Sequence, residues 1–376
     1  MTRKIRVLHV LGRMNRGGVE TWLMHVLRAT DRSRYQFDFF VHTTEPSVLD
    51  SEVTSLGSRI FQGGPPSSVL SYARRFRGVV SSQGPFDAVH AHVHHSSGMI
   101  LLLAAASGVP VRIAHSHNDT RAVSANVGLR RSAYVFGMTY LIDRFATRRV
   151  ACSDVAGDDL FGPGWKESPG ASVLYYSINL DPFREPASRS ATRSALGIDP
   201  GAFVIGHVGR FDVQKNHGFL LDVTRALVNV RPDTVLLLVG DGPLRAEIQA
   251  GVKARGLERH VVFAGVRGDV PAILTGALDA MVFPSLHEGL PVVGLETQAA
   301  GVPLIMSDTI SAEVIACPRL VRAMALSQAP LEWAEAIVEH HAQVRRTLGP
   351  PLGGLENGPF DIACSLRRLE EIYETS

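Results

Sequence analysis

Two carboxylates, Glu288 and Glu296, stand eight positions apart in the stretch SLHEGLPVVGLE, separated by two glycines, a proline and apolar residues. AMVFPS reads as a strand, LHEGL as a loop, and Pro291 as the first turn of a helix that runs through VVGLETQAAG to a glycine stop at Gly301. Glu288 then lies just ahead of the helix and Glu296 about one and a half turns inside it, ~8 Å further along the axis. That separation rules out one shared proton-transfer centre. It suits a grip on two parts of one extended ligand, with the amides of Gly289 and Leu290 between them to meet phosphate or sugar oxygens. The competing reading makes Glu288 a helix cap and Glu296 a solvated charge. It is the weaker one, because a carboxylate among apolar neighbours costs several kcal/mol when buried without partners.

Three other strand ends in the same half carry chemistry. GHVGRFDVQKNHGFLL sets Gly209, Arg210 and Lys215 between a strand and a helix, where amides and two cations can hold a diphosphate, although a basic pair is often only solvated loop charge. LLLVGDGPLR ends a strand in Gly240, Asp241 and Gly242 and starts a helix at Pro243, a tight turn that admits a close ligand approach or is simply a turn. FAGVRGDV places Gly265, Val266 and Arg267 where backbone groups can read the edge of a flat base, or form an ordinary loop.

In the first half, Gly17 and Gly18 open a helix after the first strand and read equally as a ligand turn or a plain one. HAHVHHSSG presents His90, His92, His94 and His95. Alternate histidines of a strand share a face, but His94 and His95 break that pattern and no carboxylate accompanies them, so the expectation is no metal. RRSAYVFGMTYLIDRFATRR surrounds an apolar middle with Arg130, Arg131, Arg144, Arg148 and Arg149, as an interfacial helix on anionic lipid or a core helix with basic ends would.

These groups need elements to hold them. The 376 residues suggest about two domains, and 45% hydrophobic with 20% charged residues is ordinary for a globular cytosolic enzyme. No stretch matches a membrane span, the N-terminus fails as a secretory signal, and Cys152, Cys317 and Cys364 have no paired spacing, so buried free thiols are expected. Residues 1–180 hold 20 Lys+Arg against 13 Asp+Glu, and residues 181–376 hold 18 against 23, so the basic first half suits an anionic membrane or phosphate-bearing partner. Runs such as IRVLHVL, FDAVHAH and VRIAHSH, then FVIGHVG, TVLLLVG, HVVFAG and VPLIMSD, alternate with helix-length segments. Near-continuous Val/Ile/Leu runs of this kind are what parallel strands buried on both faces require. Two open α/β sheets joined near residues 180–200 follow, with ligands expected at strand carboxyl ends in a cleft between them.

The ordered set GRFDVQKN, VGDGPL, AGVRGDV and PSLHEGLPVVGLETQAAGVP resembles the retaining nucleotide-sugar glycosyltransferases of the GT-B fold, family 4, whose signature is Glu, seven residues, Glu. HVLGRMNRGGVETWLMHVL, RIAHSHN and ACSDVAGDDLFG are similar to members that build bacterial exopolysaccharide or capsule. The resemblance implies two Rossmann-like doubly wound parallel-sheet domains. Residues 1–181 form an acceptor-side domain, onto which a C-terminal helix at 361–376 crosses back, and 182–360 form a donor domain. It implies that Arg210 and Lys215 bind the donor diphosphate, Glu288 with Gly289 and Leu290 holds the transferred sugar, and Glu296 holds the ribose hydroxyls. Gly209, Gly240, Gly242, Val266 and Arg267 complete the donor site, with Gly17 and Gly18 near acceptor or phosphates. His117, with His115 as rival, contacts the sugar or its attacking partner.

The implied activity is metal-independent hexosyl transfer without a cofactor, from a UDP- or GDP-sugar to a saccharide acceptor, lipid-linked at the inner face of the cytoplasmic membrane, with no nucleic acid involved. Two departures stand out. YYSINLDPF puts Ser177 and Asn179 where members carry Gly and Asp of Asn-Gly-Ile-Asp, and residues 316–360 match the pattern poorly. A nucleotide-sugar 2-epimerase on the same scaffold is the alternative. A dinucleotide oxidoreductase ranks last, because VLGRMNRGG lacks the Gly-x-Gly-x-x-Gly turn and Asp38 lies inside FDFF rather than at a strand end.

Overall fold

The protein is described by a computed structural model over residues 3–15, 17–118, 128–346 and 351–374, with backbone alone for 345, 346, 351 and 353. The chain divides into one unit formed by Met1–Ser177 with Ile362–Ser376 and a second formed by Ile178–Asp361.

The first unit is a seven-stranded parallel sheet. Its strands are β1 (Ile5–Leu11), β2 (Tyr35–Val41), β3 (Ile60–Gln62), β4 (Ala88–Ala91), β5 (Val111–Ser116), β6 (Arg148–Ala151) and β7 (Ala171–Val173), in the order β3-β2-β1-β4-β5-β6-β7. The order reverses between β1 and β4. Leu8, Val10 and Phe40 of the strands pack with Phe76, Ile100 and Ile142 of helices to form a core. The helix Ile362–Tyr373 returns to this unit, where the Tyr373 ring meets Phe37 and His90 edge-on.

The second unit repeats the plan with β8 (Phe203–Val208), β9 (Thr234–Val239), β10 (Val261–Gly265), β11 (Ala280–Phe283), β12 (Leu304–Ser307) and β13 (Val321–Met324), all parallel, in the order β10-β9-β8-β11-β12-β13. Here the reversal falls between β8 and β11. Phe203, Ile205, Leu236 and Val282 pack against Trp333 and Ile337 of the helix Pro330–Arg346.

Two parallel sheets of this doubly wound kind are the expected architecture. β7, β13 and the helix Asp154–Phe161 go beyond the sequence reading. The two strands are three and four residues long and sit at sheet edges, so neither has the long apolar run that marks a strand covered on both sides. The helix after β9 begins at Arg245 rather than Pro243, and Pro291 is the cap of the helix Val292–Ala299 rather than its first residue. Part of the poorly matching stretch, residues 347–350, lies outside the described residues.

Candidate functional site

Four neighbouring strands of the second sheet, β10, β9, β8 and β11, bring the four chemically marked loops side by side along one rim. At β8 the chain passes Gly209 and Arg210 into a short turn, Val213–Lys215, then Asn216 in the left-handed conformation (φ +53°), then the helix His217–Val230. Asn is among the few side chains that visit this conformation readily, so the turn is set by its sequence.

That turn is bound to the loop after β11. The backbone of Leu286 donates to Gln214 O at 2.8 Å. The Gln214 amide donates to His287 O at 2.7 Å and to Glu288 Oε2 at 3.2 Å. Lys215 Nζ donates to Glu288 Oε1 at 2.5 Å, with the two side chains only 14% and 8% exposed. The ammonium also lies 4.7 Å from the centre of the Phe283 ring. Removing both charges from water costs much of what their attraction returns, so stability alone is a poor reason for the pair. Glu288 spends its carboxylate on Lys215 and Gln214, and among the described residues no hydrogen bond joins it to the first turn of Val292–Ala299. Among the described residues no hydrogen bond ends on the amides of Gly289 and Leu290, although both residues are buried. Arg210 is exposed, with no side-chain partner among the described residues. A carboxylate, a cation and two amides thus meet at the switch point of the sheet, with the exposed Arg210 on the same β8 loop.

The glycines have a different immediate reason from the one expected. A Cβ on Gly240 (φ +137°) would stand 2.0 Å from Gly209 O, and one on Gly242 would stand 2.4 Å from Phe211 O. Their bareness lets the β9 loop lie on the β8 loop, and any ligand contact is additional to that. Gly209 serves Lys215 directly, since a Cβ there would stand 3.1 Å from Lys215 Cε. At β10, Val266 is exposed and Arg267 forms a close pair with Asp269, Nη2 to Oδ2 2.7 Å. Glu296 is 7% exposed on its helix, so it is not the solvated charge of the competing reading. The neighbouring Gln298 locks that helix, donating to Val314 O at 2.8 Å and accepting from the amides of Ala316 and Cys317 at 2.9 and 2.8 Å.

Two histidines escaped the sequence reading. His207 on β8 and His217 at the start of its helix pack with ring centres 4.9 Å apart. Neither His217 ring nitrogen makes a well-formed hydrogen bond among the described residues, and burial, only partly offset by Asp212, lowers its pKa to about 4. Burial also holds His207 well below its ordinary value. The available signal was a polar ring inside the strand run FVIGHV and another at the first residue of a helix.

In the first unit Gly17 caps the helix Gly18–Ala29, and Gly18 faces the Tyr176 ring, 3.8 Å from where its Cβ would be. His115 and His117 sit at the end of β5, with His9 from β1 and His90 and His92 from β4 and its end. Two hydrogen-bonded chains result. One runs from His9 Nδ1 to His92 Nε2 (3.0 Å), from His92 Nδ1 to His117 Nε2 (2.8 Å) and from His117 Nδ1 to the Tyr176 hydroxyl (2.7 Å). The other joins the Tyr373 hydroxyl, His90 and His115 at 2.9 and 3.0 Å. Burial lowers the pKa of His9 and His117 to about 3 and holds His90, His92 and His115 well below the usual imidazole range, so all five are neutral. The expectation that no carboxylate accompanies the histidine run needs correction, because Asp159 Oδ2 lies 2.9 Å from His94 Nε2. Asp159 comes from the helix Asp154–Phe161, which no local pattern ties to that run. Asp38 is fully buried inside β2 and paired with Arg59 at 2.5 Å, a structural ion pair remote from any dinucleotide role.

Residues 17–169 match the profile described as Glycosyl transferase 4-like domain, and residues 202–343 match Glycosyl transferases group 1. A Bacillus subtilis (strain 168) protein that carries the name of a glycosyltransferase, EpsF, is 40% identical over 344 residues, covering 90% of this chain and 88% of its own. The UDP-Gal:alpha-D-GlcNAc-diphosphoundecaprenol alpha-1,3-galactosyltransferase of Escherichia coli is 26% identical over 232 residues, covering 59% of this chain and 58% of its own. Among solved structures, Anabaena HepE in complex with UDP-glucose superposes with a TM-score of 0.79 at 18% identity, covering 98% of each chain, a likeness of GT-B fold. The chain belongs to the glycosyltransferases that join a 4-like domain to a group 1 domain.

Proposed function

We propose that the protein is a retaining glycosyltransferase that carries a sugar from a nucleoside-diphosphate sugar to a saccharide acceptor in polysaccharide assembly. The observation that carries this reading is the buried Lys215–Glu288 pair at the switch point, next to the amides of Gly289 and Leu290, which take no hydrogen bond among the described residues, with the exposed Arg210 on the same β8 loop as Lys215. A donor laid along the rim puts its base against the β10 loop at Val266 and Arg267 and its diphosphate against Arg210 and Lys215. Its sugar meets Glu288 and the two amides, and Glu296 takes the ribose hydroxyls. Cleavage of the sugar-to-phosphate bond gathers negative charge on the leaving diphosphate. Fixed cations and helix-end amides stabilise that charge, the part a divalent metal plays elsewhere, so the donor step is metal-independent.

A lipid-linked acceptor fits the kind of acceptor in the name of the Escherichia coli relative, and it fits the helix Leu129–Phe145. That helix fully buries only Ile142 and exposes Leu129, Ala133, Phe136 and Tyr140 along one stripe, with Arg130, Arg131 and Arg144 beside it. An apolar stripe flanked by guanidinium groups suits the surface of an anionic bilayer. No helix of the described residues is long and apolar enough to cross a membrane, so this contact is peripheral.

A thermal-shift panel of UDP-, GDP- and ADP-sugars, with and without chelator, tests the proposal. One nucleotide class should raise the melting temperature equally in both conditions. Free nucleoside diphosphate should then appear with acceptor. Conversion of the donor sugar without release would instead make the protein an epimerase.

A further inference from the structure

Side chains two apart on a strand share a face, and the register between β1, β4 and β5 therefore stacks His9, His90, His92, His115 and His117 in one layer. Two triplets of this layer each offer ligand nitrogens within 4.8 Å of one another: His9, His90 and His92, and His92, His115 and His117. The triplets are not equivalent. Both nitrogens of His90 are hydrogen-bonded, and its triplet includes two fully buried rings. Each triplet contains an orphan, since His9 Nε2 and His115 Nε2 are both buried with no hydrogen-bond partner among the described residues, but an ion among His92, His115 and His117 breaks one hydrogen bond where one at the His90 triplet would break at least two.

We propose that His92, His115 and His117 bind one late first-row divalent ion, zinc being the natural occupant, through His92 Nδ1, His115 Nε2 and His117 Nε2. This choice of atoms leaves every second ring nitrogen supported. His92 Nε2 keeps His9 Nδ1 at 3.0 Å, His115 Nδ1 keeps His90 Nε2 at 3.0 Å, and His117 Nδ1 keeps the Tyr176 hydroxyl at 2.7 Å. Metal-binding imidazoles have this outer support as a rule, because it fixes tautomer and ring direction. One hydrogen bond is given up, between His92 Nδ1 and His117 Nε2. With metal–nitrogen bonds of 2.0–2.1 Å, a tetrahedral ion sets its ligand nitrogens about 3.3 Å apart. The 2.8 Å pair therefore opens by about half an ångström. Three neutral imidazoles and no sulfur suit zinc, cobalt(II) or copper(II) over calcium or magnesium, and they leave the fourth position to water or an anion.

The claim stands apart from the transfer reading, since binding is measured with no sugar nucleotide present. Tag-free protein is stripped with chelator and titrated with cobalt(II). The expected result is the intense visible absorption of a tetrahedral centre, saturating at one equivalent and erased by zinc. X-ray absorption of the zinc-loaded wild-type protein should show three imidazoles and no sulfur. H115Q and H92Q should weaken binding about 100-fold, Tyr176→Phe about tenfold, and H260Q, on the other unit, not at all. A wild-type protein without that absorption, a zinc shell with fewer than three imidazoles, or unchanged binding in folded H115Q overturns the proposal.

Discussion

Lys215 Nζ stands 2.5 Å from Glu288 Oε1, across a gap of 73 residues in the chain. The two come from loops after β8 and β11, the neighbouring strands between which the order of the second sheet reverses. In open α/β sheets that point is where ligands settle, because the loops on its two sides diverge and leave a crevice. If the pair opens to receive a donor, its members act as one unit. Lys215→Ala should lower kcat by about 10²- to 10³-fold, as loss of a charge-stabilising donor does elsewhere. Glu288→Gln should have a comparable effect, and the double variant should lose less than the product of the two. Steady-state kinetics on the three proteins decides it, and strictly multiplicative losses would show two independent groups.

Gly240 has no room for a side chain. Its φ of +137° is strained for any L residue, and an added Cβ would meet Gly209 O at 2.0 Å. Gly240→Ala should therefore separate the β9 and β8 loops, destabilise the second unit by at least 1–3 kcal/mol and reduce donor affinity with it. Gly218, where nothing lies within 4 Å of a built Cβ, supplies the control, and Gly218→Ala should be tolerated. Urea melts of both variants check the contrast.

Acid should weaken the second unit through His217. Its pKa falls from 6.5 in the open chain to about 4 in the folded protein because burial opposes the charged form, with Asp212 pulling it up and Lys215 pushing it down. Between those two values the unfolded chain binds the extra proton. Stability is thus fully present above pH 6.5 and lost progressively towards pH 4. The slope from this one group is about 1.4 kcal/mol per pH unit. Denaturant melts of wild type and His217→Gln across that window should differ by that slope, and parallel curves would remove His217 as the cause.

The stripe on Leu129–Phe145 makes a separate prediction. Phe136, 78% exposed, should be tolerant of polar replacement as far as folding goes. Phe136→Ser with Tyr140→Ser should nevertheless weaken binding to vesicles containing phosphatidylglycerol by about tenfold, and high salt should weaken the wild type further through its arginines. Equal flotation of wild type and variant would leave the helix without that role.

The long central strands were legible because covering both faces of a parallel sheet forces near-continuous apolar runs such as TVLLLVG and AMVF. Edge strands β7 and β13 carry no such run and were not. Each loop at the second rim was readable as a set of residue types, but the contact between Lys215 and Glu288 belongs to sheet order, which no local spacing encodes. The glycines show the same limit. Gly240 and Gly242 marked a tight turn, and what their bareness visibly admits is a neighbouring loop. The histidines show it most sharply. HAHVHHSSG and AHSHN gave the within-strand alternation, but His9 joins them only through the pairing of His9 with His90.

The central claim is that a sugar nucleotide lies along the rim of the second sheet, and calorimetric titration of the best-stabilising donor from the panel into wild type, Arg210→Ala and Glu296→Ala tests it most directly. The account predicts that both variants stay folded and bind about 10- to 100-fold more weakly, the loss expected when a charged group's hydrogen bonds to a ligand are removed. Wild-type affinity in both would place the nucleotide elsewhere and contradict it.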